Sequence, residues 1–199
     1  MKKVLVFSLM LALTTGVSSF ANTSSDNLKG TKSEIVLTLN NVKEGQKLSI
    51  KDDYGIVLYN TTIETSGLYN NKFDLTALPD GDYSFEHEKG FEIQIMPFTV
   101  SLGAVTFNEA SEKSIFKPVV KFEENKIYVS KLDLEKENVE VKIYYTTNNS
   151  ELDYELIHTE KFSDTADINR IYSLSKKHSG NYKVIVNANG REYVEQFKI

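Results

Sequence analysis

The sequence predicts an all-β protein in which two antiparallel β-sandwiches follow one another behind a cleaved leader. Three observations predict it. Apolar and polar residues alternate over short runs through most of the chain, which is the period of half-buried strands. Helical periodicity is nearly absent, since the best run, Leu132 to Glu137, is short and highly charged. The second half also repeats the first at an offset of 99 residues. A length of 199 residues suits two units of about 100 residues each. Hydrophobic residues at 40% and charged ones at 26% leave enough apolar surface to bury a core in both.

The leader comes first. Lys2 and Lys3 precede an apolar run from Val4 to Leu13, and Ser19-Phe20-Ala21 places small residues where a signal peptidase reads, so cleavage is expected after Ala21. Thr14, Thr15 and Gly16 break the run well short of the ~20 apolar residues a membrane span needs, and no later segment is apolar enough to span after cleavage. Residues 22–32, rich in Ser, Thr, Asn and Gly, read as a flexible linker. With no cysteine in the chain, neither a lipidated thiol nor a disulfide is available.

The first sandwich is expected over residues 33–112. Its strands are announced by Ile35, Leu37 and Leu39, then Leu48 and Ile50, then Phe91, Ile93 and Ile95. The polar stretch Asn108 to Ser114 marks a boundary, and the second sandwich is expected over residues 113–199. There the alternation returns around Val119 and Lys121, in Val139-Glu140-Val141-Lys142-Ile143 and in Tyr182 to Val186.

The repeat aligns Ile63 with Phe162, Tyr69 with Ile168, Phe73 with Tyr172, Leu75 with Leu174, Gly81 with Gly180, Tyr83 with Tyr182 and Phe85 with Val184. Upstream the register slips, because the segment between Ile50 and Leu58 is six residues shorter than that between Ile143 and Ile157. Loops tolerate such changes and strands do not. Each half closes in a hairpin, with Asn189-Gly190 as a two-residue turn signal and Lys89-Gly90 in the matching place. Phe98 and Phe197 on the last strands are expected core contacts. Tyr83 and Tyr182, each two residues after a glycine, are expected to hold a structural corner by bonding backbone a few residues upstream.

Two stretches resemble a known family. Leu48-Ser49-Ile50-Lys51-Asp52-Asp53-Tyr54-Gly55-Ile56-Val57-Leu58-Tyr59 and Phe73-Asp74-Leu75-Thr76-Ala77-Leu78-Pro79-Asp80-Gly81-Asp82-Tyr83 are similar to the small immunoglobulin-like sandwich that sorts cargo for type IX secretion in Bacteroidetes. Ser179-Gly180-Asn181-Tyr182 carries a fainter likeness in the second half. The family's opening Asn-Pro turn is not present. The resemblance implies immunoglobulin-like or fibronectin-like topology, a small secreted protein of that bacterial group, and a sorting module as one alternative role.

The chemistry-bearing residues point away from catalysis. Loss of Lys2 and Lys3 with the leader takes the net charge from −5 to −7, which is the wrong sign for nucleic-acid binding. Short basic pairs such as Lys176-Lys177 read as solvated surface. His87, His158 and His178 lack the close partners of a metal site, and there is no Gly-x-Ser-x-Gly elbow. No catalytic residue, cofactor or metal is therefore expected. The acidic turns Lys51-Asp52-Asp53 and Pro79-Asp80-Gly81-Asp82 lack EF-hand spacing and read as turn residues rather than Ca²⁺ ligands. Tyr54, Tyr144 and Tyr145, near loop ends, are the candidate ligand platform. The expected function is that of an exported, non-catalytic binding or structural protein of the cell envelope or exterior. Its partner is a protein or a glycan, and a carbohydrate-binding module is the alternative.

Overall fold

A computed structural model describes residues 28–31, 34–147, 153–175 and 179–199. The leader with Ala21, most of the expected linker, Lys176-Lys177 and His178 lie outside the described residues. Among the described residues the regular elements are strands, apart from 3-10 turns at Glu109–Ser111 and at Asp153. The protein is all-β. The charged run Leu132 to Glu137 forms no helix; Leu132 ends a strand and the rest turns.

The first nine strands are β1 (Leu28–Thr31), β2 (Glu34–Val42), β3 (Lys47–Asp52), β4 (Val57–Thr62), β5 (Gly67–Asp74), β6 (Gly81–Glu88), β7 (Glu92–Ser101), β8 (Ala104–Phe107) and β9 (Lys113–Phe116). They form a three-stranded sheet in the order β1-β2-β5 and a larger one in the order β4-β3-β6-β7-β8, with β9 also on β7. Inward residues of both sheets share one core, in which Leu37, Leu48, Phe85, Met96 and Phe98 are fully buried. Burying such side chains is the main stabilising term, roughly 1.5–3 kcal/mol each. Phe85 anchors it with edge or tilted ring contacts to Phe73 and Phe98 at 5.1 and 5.2 Å.

The remaining strands are β10 (Val119–Glu123), β11 (Lys126–Leu132), β12 (Val139–Thr146), β13 (Glu155–Phe162), β14 (Asp167–Ser173), β15 (Asn181–Ala188) and β16 (Arg191–Lys198). Their sheets run β10-β11-β14 and β13-β12-β15-β16 around a separate core of Ile127, Val129, Val141, Ile143, Ile168, Val184 and neighbours. Strand order and register run parallel in the two halves. Ile35 faces Phe73 where Ile127 faces Tyr172, and Ile50 faces Phe85 where Ile143 faces Val184. The second half joins three strands in one sheet to four in the other, as immunoglobulin-like and fibronectin-like sandwiches do, and the first half adds β8 and β9 to the corresponding four. Asn189 and Gly190 turn the last hairpin with φ of 52° and 66°, the left-handed pair that a two-residue turn needs.

Three segments differ from the sequence expectation. Leu28–Thr31, placed in the flexible linker, pairs with β2 from Leu28 opposite Leu37 to Thr31 opposite Glu34; backbone pairing needs no apolar side chain, so composition gave no sign of it. Lys113–Phe116, placed at the start of the second sandwich, pairs with β7 of the first, Ile93 opposite Ile115. The hydrogen-bonded path of the first sheet thus runs past residue 112. Finally, the alternation Phe91, Ile93, Ile95 marks the outward face of β7, while Met96, Phe98 and Val100 line the core. Ile93 is nonetheless buried, opposite Ile115, and Phe91 is exposed.

Candidate functional site

The three platform tyrosines are not brought together. Tyr54 sits almost fully exposed in the turn between β3 and β4, far along the chain from the other two. Tyr144 and Tyr145 are consecutive on β12, and side chains alternate across a strand. Tyr145 packs against the second core and its hydroxyl donates to the Ser179 carbonyl at 3.0 Å. Tyr144 faces the other way, where the Lys183 ammonium lies 5.8 Å from its ring and 4.1 Å from that of Tyr154. Tyr154 went unnoticed in the sequence because its neighbours show no alternation.

The Tyr83 hydroxyl donates to the Pro79 carbonyl at 2.9 Å, and its ring stacks on Phe98 at 5.5 Å. In the second half the Tyr145 hydroxyl, on the neighbouring strand, also reaches backbone just before the penultimate strand. Tyr182 is buried, its ring 4.9 Å from that of Tyr145, and burial raises its pKa. Tyr83→Phe keeps the ring and removes one bond at a partly exposed site, so it is expected to cost about 1 kcal/mol in a urea melt. A melt that overlays wild type would remove the corner role from Tyr83.

The acidic turns are occupied by the backbone they shape. Asp52 Oδ1 accepts the Tyr54 and Ile56 N–H groups at 3.0 and 2.8 Å. Asp80 Oδ1 accepts the Leu102 N–H at 2.9 Å, and Asp82 takes the Thr99 hydroxyl at 2.6 Å. No cluster of three or more metal-ligating side chains occurs among the described residues. His158 is exposed, with its ring 5.0 Å from that of Tyr172. His87 is 2% exposed, and its Nε2 lies 2.8 Å from Gln46 Oε1.

Charge buried inside or between the sheets could not be read from the sequence. Glu86, 7% exposed, lies between Lys51 Nζ at 2.8 Å and Arg191 Nη2 at 2.5 Å. Its two cations come from different halves of the chain, as do the two partners of the Lys113–Glu135 pair, 3.0 Å apart. Burial pushes the Glu88 carboxyl up, but the Lys117 ammonium bonded to it at 2.7 Å, helped by Lys47 and Arg191, brings it below its ordinary value. Lys131 stands opposite Ile168, where Leu39 stands opposite Tyr69 in the first half. It is buried, donates to the Leu132 carbonyl at 2.8 Å and lies 3.7 Å from Asp133. Burial lowers its pKa despite Asp133. A second clasp joins the sheets of the second half, where Glu160 on β13 accepts from Arg170 at 2.9 Å and from the Tyr172 hydroxyl at 2.7 Å on β14.

Consecutive exposed aliphatic residues lie at two outer strands. Ile56, Val57 and Leu58 lead along β4 and are about half exposed; Leu156 and Ile157 do the same on β13, each at 47%. Both strands are edges, of the sheets β4-β3-β6-β7-β8 and β13-β12-β15-β16. The places match in detail, because the pairing of β3 with β4 skips Leu58 and the pairing of β12 with β13 skips Ile157. Each half therefore sets an exposed aliphatic residue at a bulge of the same edge. A cleft of roughly 580 Å³ also opens beside Val139, Phe162, Ala188, Gly190 and Arg191.

No protein-family model matches the chain, and no curated protein matches it. Among solved structures it is similar to one titled "Biofilm associated protein - BSP domain", at 11% identity and a TM-score of 0.27 over 84% of this chain and 27% of that one. It is also similar to the "Human OSCAR ligand-binding domain", at 10% identity and 0.24 over 83% and 89% of the two chains. A third is "native alpha-2-macroglobulin from Escherichia coli spanning domains MG0-NIE-MG1", at 13% and 0.25 over 86% and 69%. The chain spans about a quarter of the first of these. Likenesses at such scores carry no argument about activity or partner.

Proposed function

We propose that this chain is an exported, non-catalytic interaction protein of the bacterial cell envelope or exterior, built from two copies of one sandwich and meeting a protein partner along the edges β4 and β13. The observation that carries it is the pair of matched apolar bulges, Leu58 and Ile157. Exposed apolar side chains on a sheet edge are a liability that proteins ordinarily suppress with charge. Their recurrence at one place in both halves supports a use.

Two copies are supported by the common strand order and by cores that align at the 99-residue offset from Ile63 onward. Export rests on the leader pattern of residues 1–21, and the acidic balance supports a partner other than nucleic acid. The ion pair from Glu86 to Arg191 joins the two halves.

In-cell photo-crosslinking from positions 58 and 157, with position 195 on another strand as the control, tests this reading. Adducts to a protein from 58 or 157 and none from 195 are expected. Absence of adducts at both edge positions would overturn it.

A further inference from the structure

From Tyr54 to Ile63, a stretch that includes all of β4, there is neither a charged residue nor a proline. The other outer strands contrast with it. β13 carries Glu155, Glu160 and Lys161, β14 Asp167 and Arg170, β5 Lys72 and Asp74, β10 Lys121 and Glu123, and β1 Lys29. The last strand, β16, carries Arg191, Glu192, Glu195 and Lys198. Only the four-residue β8 shares the lack of charge, and three of its residues are half-buried against the strands beneath. The unguarded, exposed edge is β4.

We infer that β4 pairs with the β4 of a second copy of this chain, antiparallel across a two-fold axis; this rests on reading the chain as an interaction protein. Charge selects the occupant. The chain is acidic, with 28 Asp and Glu against 23 Lys and Arg, and a strand bearing charge would leave it unpaired against Ile56, Val57 and Leu58. β4 against itself brings apolar and hydroxyl or amide side chains face to face with no charge to desolvate. The same contact satisfies the N–H and C=O groups on the free edge. A two-fold contact also uses the edge up on both chains, so assembly stops at the dimer. The bulge at Leu58 limits regular pairing to a few residues around Tyr59 to Thr62. The interface is therefore at the small end of the protein–protein range, and dissociation in the micromolar range is expected.

Sedimentation velocity on the native chain, from low to high micromolar concentration, tests the inference. The mean mass of wild type should rise from one chain to two and no further. Leu58→Lys and Leu58→Glu should each stay at one chain with unchanged melting temperature. Ile157→Lys should behave as wild type. The inference is overturned if wild type stays at one chain throughout or if Leu58→Lys dimerises as wild type does. A one-chain wild type that still yields adducts to another protein from position 58 would sink self-pairing and leave the interaction reading standing. Loss of those adducts alongside an intact dimer would do the reverse.

Discussion

Gly180→Ala is expected to cost more than about 3 kcal/mol, a large part of the stability of a domain of this size, whereas Gly81→Ala at the aligned position should cost no more than about 1 kcal/mol. A Cβ on Gly180 would stand 2.5 Å from the Thr146 carbonyl oxygen and 2.7 Å from a ring carbon of Tyr145. Neither obstacle can give way cheaply. Thr146 ends β12 opposite Asn181, and the Tyr145 ring is tied by its hydroxyl to Ser179. Gly180 itself is held by reciprocal backbone bonds with Ile199 at 3.0 and 2.9 Å. Relief would mean opening the last strand pairing or expelling the ring from the core. At Gly81 the nearest atom is the Tyr83 hydroxyl at 3.5 Å, an ordinary contact. Urea melts of the two variants measure the difference. A Gly180→Ala protein that melts with wild type would mean that Tyr145 does not close that corner.

Acid is expected to weaken the first sandwich by up to about 3 kcal/mol as the pH falls from about 6.5 to about 4. Burial, with a smaller contribution from Lys89, holds the His87 pKa down from 6.5 to about 4. Nε2–H donates to Gln46 Oε1, and Nδ1 is buried with no partner. An incoming proton must therefore sit on Nδ1 as an unsatisfied donor. Between the two pKa values the unfolded chain holds that proton and the folded chain does not. Stability is consequently complete above about 6.5 and is lost as the pH falls toward 4. Urea melts at pH 7, 5.5 and 4.5 measure this slope, and His87→Leu should flatten it. If the wild-type and His87→Leu curves run parallel across that window, the buried neutral imidazole is not what couples this fold to pH.

Much of the architecture was legible along the chain. Alternation marks a strand because successive side chains point to opposite faces, so Ile35, Leu37 and Leu39 or Val139, Val141 and Ile143 declare themselves without tertiary information. The 99-residue alignment and the Asn189-Gly190 turn are equally local, since a left-handed pair of residues suits few other side chains. Runs of this kind determined the fold class, much of the two cores and the last hairpin.

Tertiary structure decided the rest, because it depends on which surfaces meet. The apolar residues Phe91, Ile93 and Ile95 alternate as well as Met96, Phe98 and Val100 do, and only packing shows that the second set faces the core. Lys131 reads as a surface lysine until the sheets close over it. Lys113–Phe116 reads as the start of a new unit until β7 offers its free edge. Tyr54, Tyr144 and Tyr145 were singled out together by their nearness to loops, yet strand alternation turns Tyr144 and Tyr145 to opposite faces. Conversely, Leu58 and Ile157 are unremarked in the sequence because aliphatic residues in a strand are expected to be buried. Their exposure follows from the sheet ending at β4 and β13, a property of strand order that no local pattern carries.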